Sequence, residues 1–444
     1  MSDQAAAGWD PSRSAAGDRN PWLVAIVVSI ATFMVVLDTA IANVSLRYIA
    51  GSLAASVDES TWVVTTYLIA NAVVLPASGW FSNVIGRKRF SMLCVALFTV
   101  SSLLCGLAPS LSALIFFRIL QGLGGGGMPT SEQAILADTF PPQRRGQAFA
   151  LYGVAVIVAP TVGPTLGGWI TDNFSWHWIF FINVPIGLVS LALVHWLVDE
   201  PETLERERRE RLAGGLKVDW VGFALIAITL GSLEVVLDRG QIEDWFKSNT
   251  IITFTALAAA SFLLFLPWEI NHASVRHGVF GDADGWRDPV WIEPDHAATL
   301  ANLVSLYSHA VGPGYDAGRI GHAGRDADRR AGYGAFPAEI PDDARPDRDR
   351  AVDGYSTTLT PDASFDYFAW VRLYQTVGLP FLFIPINTVA YDGLPPDKTN
   401  QASALMNVAR NLGGSIGISL DSINRGWLKT PRRARQFSIR PCSR

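Results

Sequence analysis

The sequence predicts an all-α polytopic membrane protein. Hydrophobic residues make up 49% of the chain, charged residues only 17%, and the mean hydropathy is +0.24. The apolar residues gather in runs of roughly 20, the length at which a helix crosses a hydrocarbon core. The segment 153–168, GVAVIVAPTVGPTLGG, has no charge but contains four glycines and two prolines. A helix in water would be strongly destabilised by that composition, whereas a helix packed against other helices in lipid tolerates it.

Ten apolar runs have the length of a membrane span. They are 22–44, 62–81, 90–107, 111–135, 148–170, 179–198, 220–237, 251–268, 368–391 and 402–420. We therefore divide the chain into a disordered cytoplasmic tail (1–20), a six-span bundle (21–198), a charged cytoplasmic loop (199–219), two additional spans (220–268), a polar non-membrane segment (269–366), two spans of a C-terminal half (367–420) and a basic polar tail (421–444).

Basic residues predict the orientation of the chain. Arg87–Arg89 follow the second span, Arg144 and Arg145 follow the fourth, and four arginines follow the sixth within 206–211. The turns between spans three and four and between spans five and six contain no lysine or arginine. Because loops rich in lysine and arginine stay in the cytoplasm, we expect a multi-pass protein of the cell (inner) membrane with a cytoplasmic N-terminus.

Asp38 lies inside the first span. An ionised carboxylate within a bilayer costs several kcal/mol, so this side chain should face the bundle interior. There it could take up and release a proton. The alternative is a structural acid that is paired with a neighbour or lies near the water interface.

Four sequence patterns occur in order along the first half of the chain. They are LDTAIANV at 37–44, GWFSNVIGRKR at 79–89, RILQG at 118–122, and the Gly/Pro segment at 153–168. Together they resemble the motifs of the major facilitator superfamily, most closely its fourteen-span drug/proton antiporters of the EmrB/QacA type. NVARNLGG at 407–414 is similar to the penultimate span of that family. The resemblance covers 20–275 and 366–420, and it implies a major-facilitator-type helical bundle with an intact N-terminal six-helix half, two linker spans and a disrupted C-terminal half.

The resemblance also implies a function. A proton-coupled secondary transporter of this type exports drugs or other amphipathic small molecules across the cytoplasmic membrane, driven by the proton gradient without a cofactor. Its partners are the small-molecule substrate, protons and the lipid bilayer. Some transporters of this type also use a periplasmic adaptor protein, and the sequence leaves that partner undecided. Nucleic acid, metal and enzyme roles are not expected, because the histidines are scattered and no catalytic motif is present. The alternatives are a non-functional membrane fragment and a symporter of the same superfamily.

The resemblance assigns roles to residues of spans one and four. Asp38 and Arg118 are the expected proton-coupling residues, and Gln121 and Asn43 are expected to line the substrate cavity. A purely structural Arg118 is the alternative.

The turn after span two is expected to form a cytoplasmic gate. Its residues are Gly79, Asn83, Gly86, Arg87 and Arg89, and in the superfamily this motif pairs across the two halves. Asn83 replaces an acid that is frequent in the family, which leaves hydrogen bonding instead of charge relay. A simple positive-inside topology role is the alternative.

The antiporter helix motif is expected to act as hinge and seal. Its residues are Gly153, Pro160, Gly163, Pro164, Gly167 and Gly168. Glycines three or four residues apart present a groove to an opposing helix, and proline supplies a bend. General helix packing is the alternative. Glu234, near the end of span seven, is expected to be a solvated or interfacial acid.

The segment 281–366 has the length of three spans but the composition of a polar loop. A shifted reading frame would explain both facts. Reading 288–296 from the second base of each codon allows Ile-Leu-Phe-Gly-Ser-Asn-Gln-Ile-Met, a sequence compatible with a membrane helix. We therefore hypothesise that the frame slips near 275–281, returns near 360–366 and is lost again after 420, and sequencing the coding DNA tests this. A genuine soluble insertion is the alternative.

Overall fold

The described residues of the computed structural model are 14, 16, 19–200, 202–213, 219–272, 403–411 and 413. The predictions for most of 1–18, for 273–402 and for 414–444 lie outside them, including the reading-frame hypothesis and the end of the predicted span 402–420. The numbered helices are α1 (Pro21–Ser52), α2 (Val57–Ser60), α3 (Trp62–Ile85), α4 (Arg87–Gly106), α5 (Leu111–Thr139), α6 (Pro142–Asn173), α7 (Trp178–Phe181), α8 (Asn183–Leu197), α9 (Glu202–Ala213), α10 (Trp220–Arg239) and α11 (Asn249–His272).

Eight helical segments of the described residues are long and apolar enough to cross a membrane. They correspond to the six predicted spans of the first half and to the two additional spans. The helices exceed the apolar runs at several ends: α1 continues to Ser52, and α6 begins at Pro142. Polar residues can extend a helix beyond the lipid because water solvates them there, and proline is favoured in the first helical turn.

Two sets of helix contacts organise the first half. Helix α1 packs along α6, and α5 packs against both α3 and α4. The glycines at 122–127 make the second contact close: a Cβ atom on Gly122 would lie 2.4 Å from the Tyr67 carbonyl oxygen, and one on Gly124 would lie 2.7 Å from the Phe98 nitrogen. This glycine run therefore serves helix packing, as expected for small residues at membrane helix contacts.

The charged connector 199–219 differs from the predicted loop, because it contains the helix α9. Its charged side chains pair one turn apart, with 3.1 Å between Arg209 Nη2 and Glu205 Oε1 and 3.7 Å between Arg206 Nε and Glu210 Oε1. Such pairs add a few tenths of a kcal/mol each to a solvated helix.

The last residues of the N-terminal tail also differ from the predicted disorder. Ala16 is buried, Ser14 Oγ lies 3.5 Å from the Thr139 carbonyl oxygen, and Arg19 lies 3.4 Å from Asp199. This part of the tail therefore packs on the end of the bundle where α5 ends.

The two additional spans form a pair that joins the bundle through α10. Thr229 and Ser261 hydrogen-bond at 2.8 Å between α10 and α11. Helix α10 packs on α3, where Asp238 accepts a hydrogen bond from Thr65. The prediction of a solvated Glu234 was wrong, because only 3% of this residue is exposed, whereas its place near the membrane interface stays a prediction.

The helical stretch 403–411 contacts the first half through two amides. Asn407 Nδ2 donates to Gln133 Oε1 at 3.0 Å, and Asn411 Nδ2 donates to Asn71 Oδ1 at 3.1 Å. These contacts connect the predicted C-terminal half to α5 and α3.

Candidate functional site

Asp38 lies inside the bundle, with 2% of its surface exposed. Its Oδ2 atom accepts a hydrogen bond of 2.6 Å from Arg118 Nη1. Its Oδ1 atom accepts from Gln121 Nε2 at 3.0 Å and from Asn183 Nδ2 at 2.7 Å. Three helices, α1, α5 and α8, thus contribute to one polar cluster within the apolar bundle, which we call the Asp38 cluster (Asp38, Arg118, Gln121 and Asn183).

Arg118 is completely buried, and its Nη2 atom has no hydrogen-bond partner among the described residues. Its Nε donates to the Val63 carbonyl oxygen at 3.0 Å, its Nη1 also donates to Gln121 Oε1 at 2.8 Å, and its guanidinium lies 4.3 Å from the centroid of the Tyr67 ring. A buried charge pair is tolerated in lipid when the two charges compensate each other. The arrangement therefore holds two opposite charges in the bundle, and loss of one would leave the other uncompensated.

Sequence reasoning missed Asn183 and Ser102. Asn183 Nδ2 lies 3.0 Å from Ser102 Oγ, which donates to the Phe180 carbonyl oxygen at 2.9 Å. These bonds hold the start of α8 against α4 and orient the amide toward Asp38. An asparagine inside the apolar run of span six was the available indication.

Asn43 lies outside the Asp38 cluster. The residue is exposed, and its Nδ2 donates to the Thr39 carbonyl oxygen of the preceding turn at 3.0 Å. The structure therefore gives Asn43 no contact with the residues with which it was grouped from the sequence, because the helical turn points it to another face of α1.

The antiporter helix motif packs against the part of α1 that carries Asp38. A Cβ atom on Gly163 would lie 2.5 Å from Ala40 Cβ, and one on Gly167 would lie 3.0 Å from Ile41 Cγ2. Gly153 is also buried, whereas a Cβ atom on Gly168 would meet nothing within 4 Å. The groove predicted from the glycine spacing thus contacts α1 through Gly163 and Gly167.

Pro160 and Pro164 lie on the exposed side of the same helix. Helix α6 runs without interruption through both of them. The prolines therefore leave the glycine face in contact with α1, and their predicted role in a hinge stays a prediction.

The predicted cytoplasmic gate lies at the junction of α3 and α4. Gly86 has φ +101°, a conformation that favours glycine, and a Cβ atom there would overlap the side chains of Glu200 and Arg208. Arg208 Nη1 donates to the Ile85 carbonyl oxygen at 2.6 Å. Gly79 is buried in α3, and Asn83 is half-buried near its end.

The two gate arginines contact the connector and the end of α5. Arg87 forms an ion pair with Asp138, and Arg89 lies 3.9 Å from Glu200. Burial raises the pKa of Glu200, while nearby Arg208 and Arg89 lower it. The resemblance implied pairing across the two halves, whereas Asp138 and Glu200, which contact Arg87 and Arg89, belong to the first half and its connector. Asp138 was missed in the sequence because it lies 51 positions after its partner.

A second buried acid, Glu132 of α5, was also missed. Its exposed fraction is 0%, its Oε2 atom accepts a hydrogen bond from Thr32, and its Oε1 atom has no hydrogen-bond partner among the described residues. In the sequence Glu132 lies within 127–140, GMPTSEQAILADTF. The polar residues around it made this segment look like the end of a span, where an acid would be solvated.

Eight membrane-length helices among the described residues, with a buried ion pair between them, define a polytopic membrane protein. The model of the Major Facilitator Superfamily matches residues 28–281. The chain belongs to that superfamily. The match ends where the sequence changes from apolar spans to the polar segment.

Several curated relatives are similar along most of the chain. The Multidrug export protein EmrB of Haemophilus influenzae is 35% identical over 426 residues, covering 90% of this chain and 79% of the relative. EmrB of Escherichia coli K12 is 34% identical over 417 residues with the same shares. The Fatty acid resistance protein FarB of Neisseria gonorrhoeae is 33% identical over 419 residues, covering 90% of this chain and 80% of the relative.

Solved structures of the superfamily share the fold. The proton:xylose symporter XylE, bound to 6-bromo-6-deoxy-D-glucose, aligns with a TM-score of 0.51 at 14% identity. The alignment covers 92% of this chain and 90% of that one. At this identity the similarity establishes the helical architecture alone.

Proposed function

We propose that this chain is a proton-coupled antiporter that exports drugs or other amphipathic small molecules across the cell membrane. The buried ion pair between Asp38 and Arg118 carries the proposal. In this mechanism Asp38 takes up a proton, which weakens its attraction to Arg118 and changes the packing of α1 against α5. The N-terminus lies in the cytoplasm, as the distribution of arginine and lysine favours.

The geometry around Asp38 supports a link between proton binding and helix movement. Asp38 accepts hydrogen bonds from two helices other than its own, so a change in its charge alters contacts of α5 and α8 together. Gly163 and Gly167 bring α6 against the adjacent turn of α1. In alternating access, groups of helices rock against each other around a central site, and contacts between helices break and re-form during that movement.

The direction and the substrates of transport are proposed from the relatives. Two of them are multidrug export proteins and one is a fatty acid resistance protein. Fatty acids and many drugs are amphipathic, so we propose amphipathic molecules as the substrate class. We also propose a periplasmic adaptor protein as a partner. Purification of the tagged chain from a cross-linked cell envelope tests whether such a protein is bound to it.

Proton release driven by substrate tests the proposal. The full chain is produced in inside-out membrane vesicles whose interior is acidified, and ethidium or dodecanoate is added while a pH-sensitive dye reports the internal pH. We expect proton release with the wild-type chain and none above background with Asp38→Asn. Asp172→Asn is the matched control, because Asp172 is an exposed acid at the far end of α6 that binds Tyr48.

The controls separate loss of coupling from loss of the protein. Asp38→Asn leaves Arg118 buried without its partner, so the double variant Asp38→Asn/Arg118→Gln is included to restore a neutral, folded bundle. Unchanged proton release in Asp38→Asn would remove Asp38 from the mechanism. If the wild-type chain inserts into the membrane but neither releases protons nor protects its host from drugs, the inert fragment is the better description.

A further inference from the structure

Glu132 lies on the same helix as Arg118, but much nearer the end of α5 that leads to the Arg144 loop. The two residues are separated along α5 by about 21 Å, at about 1.5 Å per helical residue. Glu132 is therefore distinct from the Asp38 cluster. In the proposed orientation it lies in the cytoplasmic half of the bundle.

Glu132 has no ion-pair partner among the described residues. Its hydrogen bond comes from Thr32 of α1, and it takes part in none of the ion pairs of the described chain. Helix α4 places the Cys94 thiol near it, and α6 places Tyr152 near it. The two remaining ionisable groups of α5 are paired elsewhere, Arg118 with Asp38 and Asp138 with Arg87.

The other elements packed against this part of α5 bring no partner for the carboxylate. Tyr67 of α3 faces Asp38 and Arg118. Arg410, in the stretch 403–411, donates to Asn407 Oδ1 at 3.2 Å. An ionised carboxylate that is fully buried without a cation costs several kcal/mol, and a group in that position takes up a proton instead.

We propose that Glu132 is a second proton-binding site, which holds its proton while the stretch 403–411 covers the cytoplasmic side of α5. Glu132 as a carboxylic acid retains the hydrogen bond with Thr32. Release of its proton leaves a carboxylate that must be solvated, so it requires water to reach the side chain. The inference deepens the proposed antiport by adding a site between Asp38 and the cytoplasm.

The neighbouring residue connects this site to the second half of the chain. Gln133 Oε1 accepts a hydrogen bond from Asn407 Nδ2, and Asn407 is itself buried. Separation of 403–411 from α5 would break the bond between Asn407 and Gln133 and admit water next to Glu132. Proton release from Glu132 and separation of 403–411 from α5 should therefore occur together.

Infrared spectroscopy tests the protonation directly. The full chain is reconstituted in lipid nanodiscs at neutral pH, and the C=O stretching band of protonated carboxylic acids is recorded for wild type, Asp38→Asn and Glu132→Gln. We expect Glu132→Gln to lose one carboxylic acid from this band and Asp38→Asn to retain it. The amide of Glu132→Gln can still accept from Thr32, so this variant preserves the local packing. An unchanged band in a folded Glu132→Gln would overturn the proposal.

Exchange into deuterated water tests the link to 403–411. The proton of a carboxylic acid exchanges only when water reaches it, and the band then shifts. Asn407→Ala should accelerate the shift on the order of threefold to tenfold, the factor that corresponds to one net hydrogen bond. Asn173→Ala is the matched control, because Asn173 is an exposed amide bonded only to its own helix through the Trp169 carbonyl oxygen.

These measurements need no transport, so the two proposals fail separately. If the carboxylic acid band of Glu132 is present but drugs drive no proton release, antiport is refuted and the proton-binding site at Glu132 is still supported. Equal exchange rates in Asn407→Ala, Asn173→Ala and wild type would show that 403–411 does not control access to Glu132, which contradicts the second part of the inference.

Discussion

Asp38 and Glu132 are both buried in the first half of this transporter, and their surroundings differ. Asp38 has an arginine at 2.6 Å and two amide donors from other helices. Glu132 has a single hydroxyl donor, Thr32, and no cation among its described contacts. Burial alone therefore does not decide the charge of an acid in a bilayer. The partners supplied by neighbouring helices decide it.

The largest expected difference between the two acids is in stability. Asp38→Asn removes the partner of a buried arginine, so we expect the free energy of unfolding to fall by about 3–5 kcal/mol. Glu132→Gln replaces a neutral acid by an amide of the same shape and should change it by less than about 1 kcal/mol. Thermal and chemical unfolding of the purified variants in detergent measures both.

The double variant sharpens this comparison. Asp38→Asn/Arg118→Gln removes both charges, and it should recover most of the stability that Asp38→Asn loses. If Glu132→Gln were as destabilising as Asp38→Asn, Glu132 would have to be ionised and paired, which contradicts its proposed state.

A smaller effect is expected at the amide that joins α8 to the Asp38 cluster. Asn183→Ala removes the hydrogen bond of 2.7 Å to a charged carboxylate, which is worth about 1.5–3 kcal/mol. The same measurement should show almost no change for Asn173→Ala, whose amide is exposed. Equal effects of the two substitutions would mean that Asn183 contributes no more to Asp38 than a surface amide would.

The smallest effect is expected at the contact of α6 with α1. Gly163→Ala places a Cβ atom 2.5 Å from Ala40 Cβ, which must shift at a cost of about 1–3 kcal/mol, and the better helix propensity of alanine offsets about 1 kcal/mol of it. Gly168→Ala adds the same atom in open space and should be neutral or stabilising. A Gly163→Ala variant as stable as Gly168→Ala would show that α1 and α6 are not in close contact.

The site was partly predictable. Asp38, Arg118 and Gln121 were grouped by resemblance to family motifs, and the structure brings these three together. Asn183, Ser102, Glu132 and Asp138 were not found, because each is a single polar residue in a long apolar or mixed run and its partner is distant in the chain. Asn43 was grouped with the site because it lies in the same motif as Asp38, although its position on the helix turns it to another face.

The sequence by itself determined the membrane class, the eight described spans and the superfamily, because hydrophobic length and motif order are local properties of the chain. Only the tertiary structure decided which buried acid has a compensating partner. That outcome depends on Arg118 and Asn183 reaching Asp38 from other helices, and on the absence of such a group beside Glu132 among the described residues. Electrostatic compensation acts over a few ångströms in space, and the spacing of residues along a chain does not record those distances.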